Sequence, residues 1–256
     1  MPLQRYFLEL MYKGTHYSGF QTQENTHDTV QEEVEKAFAV LQRHPGVLTG
    51  SSRTDTNVHA LQNFFHFDFD ETINPQFLYK INAILPRDIV VKNIYQVNNE
   101  AHCRFDAITR SYQYHIYQGK NPFLADFAYY FPYNIDIEKL QEAASMIKNY
   151  NDFTSFSKRN TQVKTFICTI LESEWKKEEK QLIYCVKANR FLRGMVKGFT
   201  GTMLQVGRGK ITMAEFRNII EAKDCTHADF SVPGHGLFLQ QVEYPVGLQL
   251  IPVEVQ

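Results

Sequence analysis

The order in which the apolar periodicity switches along this chain is its strongest constraint. Residues 3–12 alternate with a period of two, as a strand requires, and put Tyr6, Leu8, Leu10 and Tyr12 on one face. A loop with Gly14 and Gly19 follows. Thr29-Val30-Gln31-Glu32 then opens a helix, because Thr and Glu three apart can satisfy each other's backbone donors. Val30, Val34, Ala37, Phe38 and Leu41 recur at helical spacing, and Pro45-Gly46 ends that segment. A short strand leads into a polar turn around Asp55. Residues 60–69 form a longer strand, with Phe65, Phe67 and Phe69 alternating against His66 and Asp68. Asn74-Pro75 starts a second helix that stops near Pro86, and residues 89–97 are again a strand. The order is β-α-β-β-α-β, the ferredoxin-like unit.

The second half repeats that order without sequence identity worth quoting. Residues 110–118 read as a strand. Residues 136–148 read as a helix with Leu140, Ala144 and Ile147 inward. Strands at about 165–175 and 181–189 are joined by the charged run 176–180. A helix is expected over 190–206, a short one opens at the capping box Thr212-Met213-Ala214-Glu215, and residues 236–244 are the last strand. The expected fold is α+β: two fused ferredoxin-like halves, 1–105 and 106–256, forming a continuous, mainly antiparallel sheet with a central active-site cleft.

Composition narrows the function classes. The 256 residues carry a net charge of −1, so any nucleic-acid binding has to come from a local concentration of positive charge. Cys103, Cys168, Cys185 and Cys225 are far apart, with no C-x-x-C pair, which argues against a zinc knuckle or a disulfide framework and for buried thiols. Glu9 interrupts the first apolar stretch, so it does not read as a signal peptide, and no run of about 18 apolar residues exists. A cytoplasmic protein without membrane association is expected.

Two stretches concentrate positive charge. Residues 187–210 hold Lys187, Arg190, Arg193, Lys197, Arg208 and Lys210 with no acid among them. In the expected helix Arg193 and Lys197 are four apart and point the same way, with Phe191, Leu192, Met195, Val196, Phe199 and Met203 on the buried side. Lys158, Arg159 and Lys164 lie in a polar stretch without apolar period, an exposed loop. Each reads either as a solvated surface or as an RNA-facing one. Gly207-Arg208-Gly209-Lys210 reads as a helix stop.

Residues 50–60, Gly-Ser-Ser-Arg-Thr-Asp-Thr-Asn-Val-His-Ala, hold the candidate chemistry. A lone carboxylate, Asp55, sits in a polar turn with Arg53 two residues before it. That arrangement presents an acid to a substrate, and it also makes an ordinary turn. Tyr112, Tyr114 and Ile116 share one strand face, as core residues or as a base-stacking surface. The histidines show no metal-ligand spacing, and no phosphate-loop motif is present.

Taken together and in order, several pieces resemble the tRNA pseudouridine synthases of the TruA type. They are Tyr12-Lys13-Gly14 with Tyr17-Ser18-Gly19-Phe20-Gln21, Val30-Gln31-Glu32, and Arg53-Thr54-Asp55 with Val58-His59-Ala60. They continue with Asn82-Ala83-Ile84-Leu85-Pro86, Arg104-Phe105 with Tyr112 and Tyr114, 151–156, 189–201 and Gly236-Leu237-Phe238-Leu239. The set spans nearly the whole chain.

The resemblance implies an isomerase that breaks the N1–C1′ bond of a uridine in the tRNA anticodon stem-loop, at positions 38, 39 and 40, and rejoins the base through C5. The family's essential aspartate falls on Asp55, acting as a nucleophile or toward a glycal intermediate. Arg53 would occupy the space vacated by the extruded base or hold phosphate. Tyr112 would stack on the uracil, Lys197 would keep Asp55 charged, and Leu237 would pack against the base. The resemblance further implies RNA contact by Arg190, Arg193, Lys158, Arg159 and Lys164, a homodimer, and no metal or organic cofactor. Ser52, Thr56 and Asn57 depart from the glycine-rich family turn, Phe20 replaces a tryptophan, Thr22 a basic residue, and Lys197 an arginine. Asn57 tolerates a left-handed backbone, so the turn is expected to survive. Two other readings stay open at this point: a non-catalytic RNA-binding protein or tRNA chaperone on the same scaffold, and a small-molecule enzyme using Asp55.

Overall fold

A computed structural model describes residues 3–23, 26–42, 46–70, 72–159, 163–178 and 180–253. The chain divides into two compact units: residues 1–108 with 239–256, and residues 109–238. The division falls three residues beyond the expected 105/106 boundary, and the C-terminal residues 239–256 return to the first unit. Two pairings draw them there. Ile108 donates its N–H to the Glu243 carbonyl at 2.8 Å, and Ile251 and Pro252 pair with Gln96 and Tyr95.

Unit 1 contains β1 (Gln4–Tyr12), α1 (Val30–Gln42), β2 (Thr49–Gly50), β3 (His59–Phe69), α2 (Phe77–Ile84) and β4 (Ile89–Gln96). It also receives most of β9 (Leu237–Glu243) and all of β10 (Ile251–Pro252). The strands run β10-β4-β1-β3, with β2 also on β3, and the β1–β3, β1–β4, β2–β3 and β4–β10 pairings are antiparallel. Elements β1-α1-β2-β3-α2-β4 thus give the expected β-α-β-β-α-β order.

The central strands are buried on both faces. Phe65, Phe67 and Phe69 are core, as their alternation requires, and so are Phe64 and His66 on the alternate positions. Tyr244, from the C-terminal return, lies 5.2 Å from the Phe64 ring and 5.4 Å from the Phe7 ring, so the second face is covered too. The helix at Thr29 keeps half of the expected reciprocal cap: the Thr29 hydroxyl accepts the Glu32 N–H at 3.2 Å, but the Glu32 carboxylate accepts from Asp28 N at 3.0 Å, one residue before Thr29. Pro45, read as part of the helix end, lies outside the described residues. Asn74 caps a turn rather than the helix itself, accepting Gln76 N–H at 2.8 Å, and α2 begins at Phe77.

Unit 2 contains β5 (Thr109–Tyr117), β6 (Tyr129–Tyr130), α3 (Ile137–Ile147), β7 (Ile170–Glu178), β8 (Gln181–Ala188), α4 (Met195–Gly207) and α5 (Met213–Glu221). Strands run β5-β8-β7 in antiparallel pairing, and β6 adds a short parallel pairing to β5. Asp136 caps α3 through Lys139 N–H at 3.1 Å, and Leu140, Ala144 and Ile147 are buried. The capping box at Thr212 is complete in both directions. The hairpin turn between β7 and β8 falls in the charged run, of which Glu179 lies outside the described residues.

A second helix start differs, and by more. The sequence places it near 190; α4 begins at Met195. Gly194 takes φ 75°, a left-handed conformation that ends the preceding loop and caps the helix. Arg190 and Arg193 therefore precede the helix, and the helical-face argument linking Arg193 to Lys197 does not hold.

Candidate active site

The Asp55 turn is fixed from three sides of unit 1. From β3, Asn63 clamps the backbone of Ser52: its amide oxygen accepts Ser52 N–H at 3.2 Å and its amide nitrogen donates to Ser52 C=O at 2.9 Å. From β1, the Tyr12 hydroxyl meets the buried Thr54 hydroxyl at 2.7 Å. From the loop after β1, Phe20 N–H donates to Thr54 C=O at 3.1 Å and Asn57 N–H to Tyr17 C=O at 3.3 Å, while the Thr56 hydroxyl donates to Ser18 C=O at 3.0 Å.

The turn closes on itself, with Val58 N–H donating to Asp55 C=O at 3.2 Å and Asn57 at φ 63°. Asparagine is among the few residue types other than glycine that carry this φ readily. Two true glycines let the loop after β1 approach the turn: a Cβ on Gly14 would collide with the Val58 carbonyl, and Gly19 sits at φ 128° with Thr54 C=O beside it. The result is an alternation. Thr54 is buried, Arg53 is exposed, and Asp55 is half-buried on a turn held by these hydrogen bonds.

Phe20 supplies the floor beneath this turn. Its ring stacks on Phe65 at 4.6 Å and on Tyr12 at 5.7 Å, so the apolar role expected of the position is kept with a smaller ring. Ser52 is buried: Asn63 holds its backbone, and its hydroxyl has no hydrogen-bond partner among the described residues.

Unit 2 holds the other expected site residues. Of the tyrosine face on β5, Tyr114 and Ile116 are core, and the Tyr114 hydroxyl donates to Pro233 C=O at 2.7 Å. Burial pushes the Tyr114 phenol far above its ordinary value, which fixes it as a neutral structural group. Tyr112 is half-buried, its ring edge-on to Phe191 at 5.0 Å. Leu237 is buried at the start of β9, directly after Gly236, where a Cβ would meet His115 C=O and the Tyr114 ring at 2.9 Å.

Lys197 is half-buried in the first turn of α4, and Arg190 is half-buried before it. Lys158 and Arg193 are brought together: Lys158 N–H donates to Arg193 C=O at 3.0 Å, and the Lys158 stem lies against Gly194. Arg159 and Lys164 are exposed, and Arg159 reaches Asp224 only at 3.9 Å. Arg208 stacks on Tyr133, 3.6 Å from the ring centre, so it is a packed rather than a projecting cation.

The comparisons with known proteins decide the family. A family model described as tRNA pseudouridine synthase matches residues 10–106 and 146–245. A tRNA pseudouridine synthase A of Parabacteroides distasonis is 45% identical over 98% of this chain and 100% of its own length. The protein of that name in Bacteroides fragilis is 44% identical over 96% of this chain and 98% of its own, and that of Staphylococcus aureus 33% over 93% and 91%. This chain belongs to the tRNA pseudouridine synthase family. Within the family match lie Asp55, Arg53, Lys197 and Leu237; Tyr112 falls in the interval 107–145 that the model leaves out.

Several family-type motifs turn out to be scaffolding in this synthase-family chain. Asn82 exchanges two hydrogen bonds with Val91, at 2.8 and 2.9 Å, tying α2 to β4. Asn189 accepts Thr169 N–H at 2.8 Å and returns its own N–H at 3.1 Å. Phe153 and Phe156 pack on Phe199 at 5.3 and 4.7 Å.

Two groupings escaped the sequence reading because their members are distant in sequence. His66, His102 and Cys103 bring their ligand-type atoms within 4.8 Å of one another, although no spacing links them. Those atoms are already engaged. His66 Nδ1 lies 3.2 Å from Cys103 Sγ, Cys103 Sγ donates to Thr49 C=O at 3.1 Å, and His102 Nδ1 accepts from Arg104 N–H at 3.1 Å. Burial, then His102 and Arg5, lower the His66 pKa to about 4. The cluster reads as a satisfied interior. The second grouping is a recess of about 160 Å³ that includes Arg53, His102, Arg104 and Phe105. Of the four cysteines, Cys103 and Cys168 are buried and Cys185 and Cys225 half-buried, all as free thiols.

Proposed function

We propose that this chain isomerises uridine to pseudouridine in tRNA, with Asp55 as the catalytic carboxylate. The observation that carries the reading is a half-buried carboxylate on a turn clamped by Asn63, Tyr12 and the 14–20 loop, in a chain of this family. The N1–C1′ bond breaks, the uracil turns, C5 bonds to C1′, and the proton lost from C5 is balanced by one gained at N1. No electrons are gained or lost. Asp55 attacks C1′ as a nucleophile or assists formation of a glycal; both routes need an ionised acid held still beside the sugar.

Arg53, exposed two residues from Asp55, takes the place of the extruded nucleotide or holds its phosphate. Tyr112 offers the uracil a stacking face, Leu237 an apolar one, and Lys197 a positive charge that favours ionised groups. Arg190, Arg193, Lys158, Arg159 and Lys164 meet the RNA backbone. The substrate region is the anticodon stem-loop, at positions 38, 39 and 40, the working form is a homodimer, and the compartment is the cytoplasm. No helix among the described residues is long and apolar enough to cross a membrane.

The altered turn motivated the non-catalytic alternative. Asn57 takes φ 63° and Asn63 holds the Ser52 backbone, which supports an intact turn and the catalytic reading. The test is a pseudouridine map of an unmodified tRNA transcript incubated with the purified protein. Pseudouridine at 38–40 is expected. An unmodified transcript, together with an unchanged map in cells lacking the gene, would overturn the reading.

A further inference from the structure

The recess in unit 1 beside the Asp55 turn has no assigned role. Five separate stretches build it: residues 20–21, Gln31 of α1, residues 48–50 at β2, Arg53, and residues 102–105. Among the described residues no acidic side chain lines it, while two arginines, Arg53 and Arg104, do. They stand close enough that Arg104, after burial, lowers the Arg53 pKa. Two like charges gathered at one recess without a lining acid form a site for an anion.

The third component is aromatic. Phe105 is 73% exposed, yet it is not loose. Its ring lies 4.2 Å from the His102 ring, and the Arg104 guanidinium sits 5.6 Å from its centre. His102 is itself anchored, accepting the backbone N–H groups of Arg104 and Phe105 on Nδ1 and donating its own backbone N–H to Asp106 at 2.7 Å. A large apolar ring held out to solvent beside cations matches how single-stranded nucleic acid is gripped: phosphate on the arginines, a base on the ring.

We propose that Arg53, Arg104 and Phe105 form a nucleotide subsite that holds the RNA strand next to the target uridine, phosphate between the two guanidiniums and base against Phe105. The proposal rests on the tRNA reading of this chain. It adds a positioning element that the substrate-binding set from the sequence lacks. The subsite fixes where the strand enters relative to Asp55, and so favours a target whose neighbour can unstack.

Binding of tRNA to the Asp55→Asn protein, followed against salt, tests the subsite without requiring turnover. Arg104→Gln is expected to weaken binding roughly tenfold and to reduce the slope of log affinity against log salt by about 0.7–0.9, one phosphate contact. Phe105→Ala is expected to weaken binding about tenfold with the slope unchanged, and Phe105→Tyr to restore it. In the otherwise wild-type protein Arg104→Gln raises KM while leaving kcat within about twofold. Unfolding midpoints equal to the parent's establish that the variants are folded; a variant that does not fold is replaced by the uncharged Arg104→Met or by Phe105→Leu with the same readouts. Parental affinity and slope in both folded variants would overturn the subsite. If the wild-type protein makes no pseudouridine while these variants lose RNA affinity, the subsite stands and the catalytic reading fails.

Discussion

At single residues, the active turn depends on backbone shape as much as on charge. Asn57 at φ 63° is the point where a β-branched residue cannot sit without strain. Asn57→Gly should leave stability within about 0.5 kcal/mol, whereas Asn57→Val should cost about 1–2 kcal/mol and lower kcat by misplacing Asp55; urea unfolding and steady-state rates check both. The tolerance of asparagine for this conformation was legible from its chemistry alone. What could not be read was the clamp. Asn63 sits in the middle of a strand and carries no turn signal, so its paired hydrogen bonds to Ser52 emerge only once β3 lies beside the turn. Arg104 and Phe105 were visible as a motif but not as part of a recess, because the recess also needs Arg53 from far along the chain.

Elements were read well where local chemistry sets them and poorly where one backbone conformation overrides the period. The capping box at Thr212 and the Asp136 cap lie where hydrogen-bonding residue types demand them. The start of α4 was displaced to Met195 because the apolar spacing of Leu192, Met195 and Val196 runs through Gly194, whose φ of 75° breaks the helix. Gly194→Ala should destabilise by about 1 kcal/mol or more, since a Cβ would meet the Lys158 stem at 3.0 Å in a left-handed backbone, and should loosen both basic loops together. Equal urea midpoints for this variant and the parent would contradict that. In β1, Glu9 is a buried acid inside an apolar strand. Burial raises its pKa, but hydrogen bonds from Asn93, Gln62 and Tyr95, with Lys92 beside it, outweigh burial and hold it below the ordinary value. Glu9→Ala leaves those donors without their acceptor and should cost about 3 kcal/mol, measured by chemical unfolding.

Across the whole molecule, charge is spread so that net −1 coexists with basic loops, and tRNA affinity should therefore fall steeply with salt. Stability carries its own pH signature. His66 is held neutral, with a folded pKa of about 4 against an ordinary 6.5, by burial first and then by His102 and Arg5. Below 6.5 the unfolded chain binds a proton that the folded one refuses, so this group removes stability as pH falls from 6.5 toward 4 and adds nothing further below. The urea midpoint should decline over that window, and His66→Asn should flatten the decline; an unchanged slope in that variant would refute the assignment. The β-α-β-β-α-β order of the first unit was legible from periodicity; the return of residues 239–256 to that unit, which takes most of the strand expected to close the second half, was not, because pairing partners so far apart leave no mark on local pattern.

The most direct measurement is single-turnover pseudouridine formation by the Asp55→Asn protein on a tRNA transcript that the wild-type protein modifies. The side chains have nearly the same shape, so folding and tRNA affinity should match the wild type while product formation falls by at least about a thousandfold. Product at the wild-type rate from the folded variant would show that another group performs the chemistry.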